Sequence, residues 1–217
     1  MVVLTDSLSD LQIIFIIVAS VVLAAGLIIA IFVPLRIRYR KKQYKEFDYK
    51  KVYQIAFDND YYLINKFLFR ISSTQVGNID HILFADKYIY LIHDYYYNGD
   101  LTGNFNDQAL VLINKDGQKA YVDNPLIESA KILNSLSNVT AIDKNMFIGI
   151  CLLNDECRYS VEHVGSQLYL IQRNKLKTLI KTIESRDIGK INPEQLQKVV
   201  KAIDKLNRRK KTKAEEK

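Results

Sequence analysis

Two cysteines in 217 residues, Cys151 and Cys157, are too few to staple a domain of this size, and the repeated Cys/His spacing of a structural zinc module is missing. A reduced compartment is therefore the expected setting, with both thiols serving as ordinary small residues. The sequence also lacks a Gly-rich phosphate loop, a G-x-S-x-G nucleophile elbow and any internal repeat, which removes the common nucleotide-binding, serine-hydrolase and solenoid classes. A hydrophobic share of 48% excludes a disordered chain, and the length leaves room for one domain with a proper core rather than a multidomain enzyme.

Charge is unevenly spread. Residues 1 to 35 carry only Asp6 and Asp10, residues 36 to 51 carry eight basic and two acidic groups, and residues 198 to 217 carry nine and three. Between these flanks, residues 52 to 197 hold fourteen basic and seventeen acidic groups, so the body is slightly acidic although the whole chain is +7. A basic total of this kind is weak support for nucleic-acid binding, because the excess sits outside the body.

From Leu11 to Leu35 the sequence runs 25 residues without a charge, LQIIFIIVASVVLAAGLIIAIFVPL. A helix of that length reaches roughly 37 Å against a hydrocarbon layer of about 30 Å, enough to span with some tilt. It is apolar on every side, unlike an interfacial helix, and its acidic start and long core are unlike a cleaved signal peptide. The cations Arg36, Arg38, Arg40, Lys41, Lys42 and Lys45 follow the span, so the positive-inside rule predicts a short outside terminus (1–10), a span (11–35), a basic segment (36–45) facing anionic lipid heads, and a cytoplasmic domain (46–206) with a charged tail (207–217).

Residues 44 to 60 are expected to be helical and 61 to 69 a strand. NIDHILFA (78–85) and KYIYLIHDYYY (87–97) are the strongest strand signals, apolar on both faces as in the middle of a covered sheet. Residues 108 to 122 read as a hairpin turning at Asp116-Gly117, and 145 to 153 and 166 to 172 as two further strands. Asn124-Pro125 opens a helix with Leu126, Ile127, Ala130, Leu133 and Leu136 on one side, Asn174 is placed as the cap of a second helix, and Asn192-Pro193 with Gln195 starts the last one. Interleaved strands and helices predict an α/β or compact α+β domain with helices against a mixed sheet.

The order of these elements resembles the nuclease-related domain, or NERD, family. STQVGNIDHILF (73–84) is similar to the family's lead-in and I-D-H strand, YYLINKFLF to the strand before it, KYIYLIHDYYYNGDLTG (87–103) to its glycine-terminated second strand and the loop that follows, and DNPLIESAKILNSL (123–136) to its Asn-Pro helix. The resemblance covers most of 46 to 206 and implies a restriction-endonuclease-like α/β core. It also implies a PD-(D/E)xK-like nuclease site, in which a helical Glu, the Asp of I-D-H and a Glu-x-Lys hold Mg²⁺ or Mn²⁺ against a phosphodiester while the lysine helps orient water.

Carried onto this chain, the pattern keeps Asp80 and loses the pair. Counting back from Gly99 puts His93 at the Glu position and Tyr95 at the Lys position, with Asp94 between them. His93 is able to ligate a metal as neutral imidazole, whereas Tyr95, with a reference pKa of about 10, does not replace an ammonium. In a regular strand Asp94 faces away from His93 and Tyr95. Glu46 lies at about the spacing of the helical Glu but in a basic flank, and Glu128 stands where relatives have Gln. Asp80 has two readings: a structural acceptor for backbone N–H groups at a strand bend, or a metal ligand with His93. His81 and His163 are read as ordinary polar residues, and the Tyr95-Tyr96-Tyr97 run as sheet core rather than a base-stacking platform.

Two functions follow from different classes. One is a membrane-anchored, NERD-like domain with a decayed hydrolytic centre, no cofactor and a binding or scaffold role toward an unspecified protein partner. The other is a tethered Mg²⁺- or Mn²⁺-dependent nuclease using Asp80 with His93 or Asp94, and Glu46 if it reaches them. The missing pair favours the first, and nucleic acid is the less favoured partner.

Overall fold

A computed structural model describes residues 10–162, 165 and 167–207; for residues 10–13, 33, 34, 36–38, 40–42 and 162 it describes the backbone alone. Residues 1–9 of the segment expected outside (1–10), His163, the tail beyond Asn207 and the side chains of Arg36, Arg38, Arg40, Lys41 and Lys42 lie outside the described set. The chain divides into two compact units, Met1–Gln43 and Tyr44–Lys217.

The first unit holds most of the apolar run. Within helix α1 (Asp10–Asp58), Ile14–Phe32 is 19 residues long with a mean hydropathy of 3.1 and none of it buried, long and apolar enough to cross a membrane.

The second unit is α/β. Its elements run β1 (Tyr62–Arg70), β2 (Val76–Phe84), β3 (Ile89–Tyr95), β4 (Gly99–Asn104), β5 (Ala109–Asn114), β6 (Lys119–Asp123), α2 (Pro125–Thr140), β7 (Phe147–Leu153), β8 (Arg158–Glu162), β9 (Leu168–Gln172), α3 (Leu176–Glu184) and α4 (Pro193–Leu206). A five-stranded sheet has the order β1-β2-β3-β7-β9, antiparallel between β1, β2 and β3 and parallel from β3 through β7 to β9. A four-stranded sheet has the order β6-β5-β4-β8, also mixed. The predicted mixed sheet flanked by helices, with 78–85 beside 87–97, is what the chain forms.

Strand β3 is buried along almost its whole length and its side chains alternate between two cores. Leu91 joins Ile82, Phe84, Leu133 and Leu136 of α2 and Val199 and Ile203 of α4. Tyr90 and Ile92 join Leu83, Val52 and Ile55 of α1, and Leu176, Ile180 and Ile183 of α3. Helix α2 starts as its sequence predicts, with Asn124 Oδ1 accepting the Leu126 N–H at 3.0 Å and Pro125 filling the first turn. It crosses β7 closely at Gly149, where a Cβ would sit 2.7 Å from Ser129 Oγ.

Two expectations change. Asn174 does not cap α3: a 3₁₀ turn (Arg173–Lys175) leads into that helix, and the Asn174 N–H donates to Asp155 Oδ1 at 2.8 Å. Residues 99 to 104, read as a loop after the second strand, form β4, which seeds the second sheet by pairing with β5 and β8. β4 is glycine-bearing and has weak intrinsic strand propensity, so its conformation is set by its two neighbours rather than by its own sequence.

Candidate functional site

The site is built where β2 leaves regular geometry. Asn65 pairs with His81 and Phe67 with Ile79, and between them Lys66 takes φ 56, a region L side chains seldom occupy. Asp80 stands opposite Lys66 at this irregularity. One of its carboxylate oxygens accepts Lys45 Nζ at 3.0 Å and the other accepts the Asp94 N–H at 3.0 Å. Since the β2–β3 register runs no further than His81↔Ile92, Asp80 supplies the acceptor that the ladder does not offer to Asp94.

Asp94 faces the α1 side of the sheet, as regular alternation requires. Its Oδ2 lies 3.1 Å from His81 Nε2, and His81 Nδ1 lies 2.6 Å from Asn65 Oδ1. The amide oxygen only accepts, so Nδ1 carries a proton and Nε2 turns to Asp94. Burial raises the Asp94 carboxyl pKa against the lowering effect of the His81 bond, and its Oδ1 has no hydrogen-bond partner.

Asp48 of α1 completes the set. It is 0% exposed, its Oδ1 is 3.1 Å from Arg173 Nη1, and its Oδ2 is also without a partner. Burial first, and the charge of Asp94 second, push its carboxyl up to about 8 despite the guanidinium. Arg173 is held by Asp155 through Nη2 at 2.5 Å and Nε at 3.1 Å, and it lies over the Phe47 ring with its Cζ 5.5 Å from the centroid.

His93 and Tyr95 point to the other side of β3. His93 is 5% exposed, its Nε2 has no partner, and burial drops its pKa to about 4, so the ring is neutral at pH 7. Burial raises the Tyr95 phenol, which donates to Glu128 Oε2 on α2 at 3.1 Å. Tyr97 stacks on Tyr95 with the rings 4° from parallel, while Tyr96 lies 5.6 Å from Tyr44, so the tyrosine run is divided between two surroundings.

Of the residues singled out from sequence, Asp80, Asp94 and Lys45 therefore come together. Glu46 does not join them: it is exposed and ion-paired with Lys50 one turn along α1 at 2.7 Å. The sequence reading missed Asp48, His81, Asn65, Arg173 and Asp155. Asp48 had a signal, because it falls at helical spacing with Val52 and Ile55 on the buried stripe of α1.

An α/β domain with a mixed central sheet, carrying an I-D-H strand beside a strand that ends in a polar cluster, is the class of protein that the fold and site define. The nuclease-related domain profile matches residues 41–154, more than half of the 217, and the chain belongs to that family. No curated protein resembles it closely enough to count as a match. The crystal structure of AF1548, a protein of unknown function, is similar at 12% identity with a TM-score of 0.35, covering 72% of this chain and 78% of that one.

Proposed function

We propose that this chain is a membrane-anchored member of the family whose hydrolytic centre has become a structural polar cluster, and that it serves at the cytoplasmic membrane face as a binding or scaffold module. The carrying observation is the use already made of Asp80: one oxygen is committed to Lys45 and the other to the Asp94 backbone. A family site of this kind needs carboxylate oxygens open toward one or two divalent ions and a nearby cation aimed at water. Here the Glu-x-Lys positions hold a neutral, buried His93 and a Tyr95 that donates to Glu128. Asp48, the carboxyl that α1 brings into the cluster, favours its protonated form. Among the described residues no three His, Cys, Asp or Glu side chains converge as a ligand set. These groups do not fit Mg²⁺ or Mn²⁺, and no hydrolytic step is derived through either ion.

The anchor reading is supported by Ile14–Phe32 and by the charge asymmetry across it, acidic before and strongly basic after. The testing experiment compares full-length wild type with Asp80→Ala on single-stranded, duplex and structured DNA and RNA, with Mg²⁺ or Mn²⁺. Neither protein should cleave. Cleavage by wild type that Asp80→Ala abolishes would overturn the proposal and establish an altered metal-dependent nuclease.

A further inference from the structure

Strand β2 is paired on both sides only from His81 onward. Its ladder to β1 begins at Val76, whereas its ladder to β3 ends at His81↔Ile92, so Val76–Asp80 has a strand on one side alone. The hairpin before it sets where the main-chain groups point. Ile71 N–H donates to the Gln75 carbonyl at 2.9 Å, and hydrogen-bonded pairs recur every second residue along an antiparallel ladder, here at Phe69↔Gly77 and Phe67↔Ile79. Arg70↔Val76 and Leu68↔Asn78 are the intervening pairs, whose N–H and C=O groups face away from the partner strand. Leu68 agrees, because its N–H goes to Asn207 Oδ1 at 3.5 Å instead of to β2. Val76 and Asn78 therefore turn their main-chain groups to the unpaired side, where no described residue bonds them. Beside this edge lies a cleft of about 470 Å³, whose other wall is Glu128, Lys131 and Ser135 of α2. Glu128 and Lys131 are exposed, one turn apart, and neither makes an ion pair with a described residue.

We propose that the edge of β2 and the face of α2 form a docking groove for an extended segment of a partner protein, which adds a strand beside Val76–Asn78 and presents a basic and an acidic residue, two apart, to Glu128 and Lys131. Alternating N–H and C=O groups at strand spacing are matched by the main chain of another peptide. Val76, 52% exposed, supplies an apolar neighbour for a side chain on the added strand. Residues two apart in a strand lie about 7 Å from each other on one face, within reach of two long side chains separated by about 4.5 Å along a helix. The edge is also unguarded: residues 75 to 79 contain no lysine or proline, the side chains that commonly keep an unpaired edge from taking on another strand. A phosphodiester chain in this cleft would meet the Glu128 carboxylate. A second copy of β2 would leave Glu128 and Lys131 unmatched, since residues 71 to 79 carry no charge. The groove rests on the reading of this domain as a binding module.

The test uses the full chain in detergent and two labelled, end-blocked peptides, Thr-Val-Lys-Val-Glu-Val-Thr and Thr-Val-Glu-Val-Lys-Val-Thr, one for each direction in which a strand can be added. One of them should bind saturably by fluorescence anisotropy, and no binding of either up to about 1 mM would overturn the proposal. Glu128→Lys combined with Lys131→Glu should turn the preference to the other peptide by about tenfold, and an unchanged preference would count against the groove. Val76→Pro removes one donor from the edge without touching the ladder to β1, so affinity should drop at least about fivefold while the melting midpoint is kept. Should that variant fail to fold, N-methylation of the peptide reads the same bonds. Methyl groups on the alternate amides that face β2 should abolish binding and those on the intervening amides should leave it, whereas equal tolerance of both sets would overturn strand addition. Two other outcomes also overturn it, each in the absence of peptide binding: a single-stranded oligonucleotide bound by wild type and lost with Val76→Pro assigns the cleft to nucleic acid, and a dimer that Val76→Pro dissociates assigns it to a second copy. The two readings fail separately. Metal-dependent cleavage abolished by Asp80→Ala ends the decayed-centre reading whatever the peptides do, and failure of the peptides ends the groove while leaving the bonds of Asp80 as they are.

Discussion

Asp48→Asn should stabilise the protein at neutral pH, although it removes one partner of an ion pair. Asp48 is fully enclosed, one oxygen has no partner, and its carboxyl is pushed up to about 8 from the ordinary 3.8. Between those two values the unfolded carboxyl has lost its proton and the folded one keeps it, so folding takes up a proton and stability falls as pH rises, by about 1.4 kcal/mol per pH unit. The favourable state of Asp48 is complete below 3.8 and is lost progressively up to about 8. Asparagine has the shape of the neutral acid and carries no such penalty. Wild type and variant should therefore match within about 1 kcal/mol near pH 4, and the variant should be ahead by about 4 kcal/mol at pH 7. Arg173 keeps its two bonds to Asp155, so it is not left as an unpaired buried charge. For a chain of this length the difference corresponds to a rise in melting midpoint of roughly 10 °C. Thermal unfolding of the full chain in detergent, recorded from pH 4 to 8 for both proteins, makes the comparison. A variant less stable than wild type at pH 7, or a difference that does not change with pH, would mean that Asp48 is ionised in the fold and that its pair with Arg173 repays desolvation.

His93 bears on the acid side with the opposite slope. Its pKa is held down at about 4 from 6.5, so the unfolded chain binds the extra proton between those values; stability is full above 6.5 and falls as pH drops toward 4. His93→Gln should flatten that limb in the same unfolding series, and an unchanged acid limb would show that the ring is not the buried neutral group described. Asp80→Ala strands the Asp94 N–H and the Lys45 ammonium and should cost about 2 kcal/mol in denaturant unfolding, whereas Glu46→Ala, on the exposed side of α1, should stay within about 0.5 kcal/mol. Equal effects of the two changes would refute the structural assignment of Asp80. Full-length protein should resist alkaline carbonate extraction, and protease added to intact cells should leave residues 36–217 uncut; release to the soluble fraction or digestion from outside would end the anchor and orientation readings.

Most of the fold was legible because its signals are local. The apolar runs of β2 and β3 that are buried on both faces, the Asp116-Gly117 turn that returns β5 onto β6, and the Asn-Pro starts of α2 and α4 are each written within a few residues and are kept in the folded chain. What escaped depended on partners distant in sequence. β4 becomes a strand because β5 and β8 lie on either side of it, and Asn174 fails as a cap because Asp155, from the turn after β7, takes its N–H and the guanidinium of Arg173 at the same time.

The polar cluster was half legible for the same physical reason. Asp80 and the loss of the Glu-x-Lys pair could be read from one stretch of sequence, and the strand parity that sets Asp94 against His93 holds in β3. The fate of Asp80's oxygens could not be read there, because it is decided by Lys45, thirty-five residues earlier, and by a backbone N–H on the next strand. Lys45 belongs by sequence to a basic run that anionic lipid would attract, yet its ammonium is held by a carboxylate that is largely shielded from water. A cation in that place neutralises Asp80 as a divalent ion would, but it brings neither an open coordination position nor a polarised water. Replacing Lys45 with Met therefore discriminates between two accounts of the cluster. If Lys45 merely balances charge, Lys45→Met should destabilise the fold by about 1 to 3 kcal/mol and added Mn²⁺ should not restore the melting midpoint. A midpoint restored by Mn²⁺ in Lys45→Met, and not in the double variant with Asp80→Ala, would show that the carboxylates retain a latent metal geometry and that the lysine is what closes it.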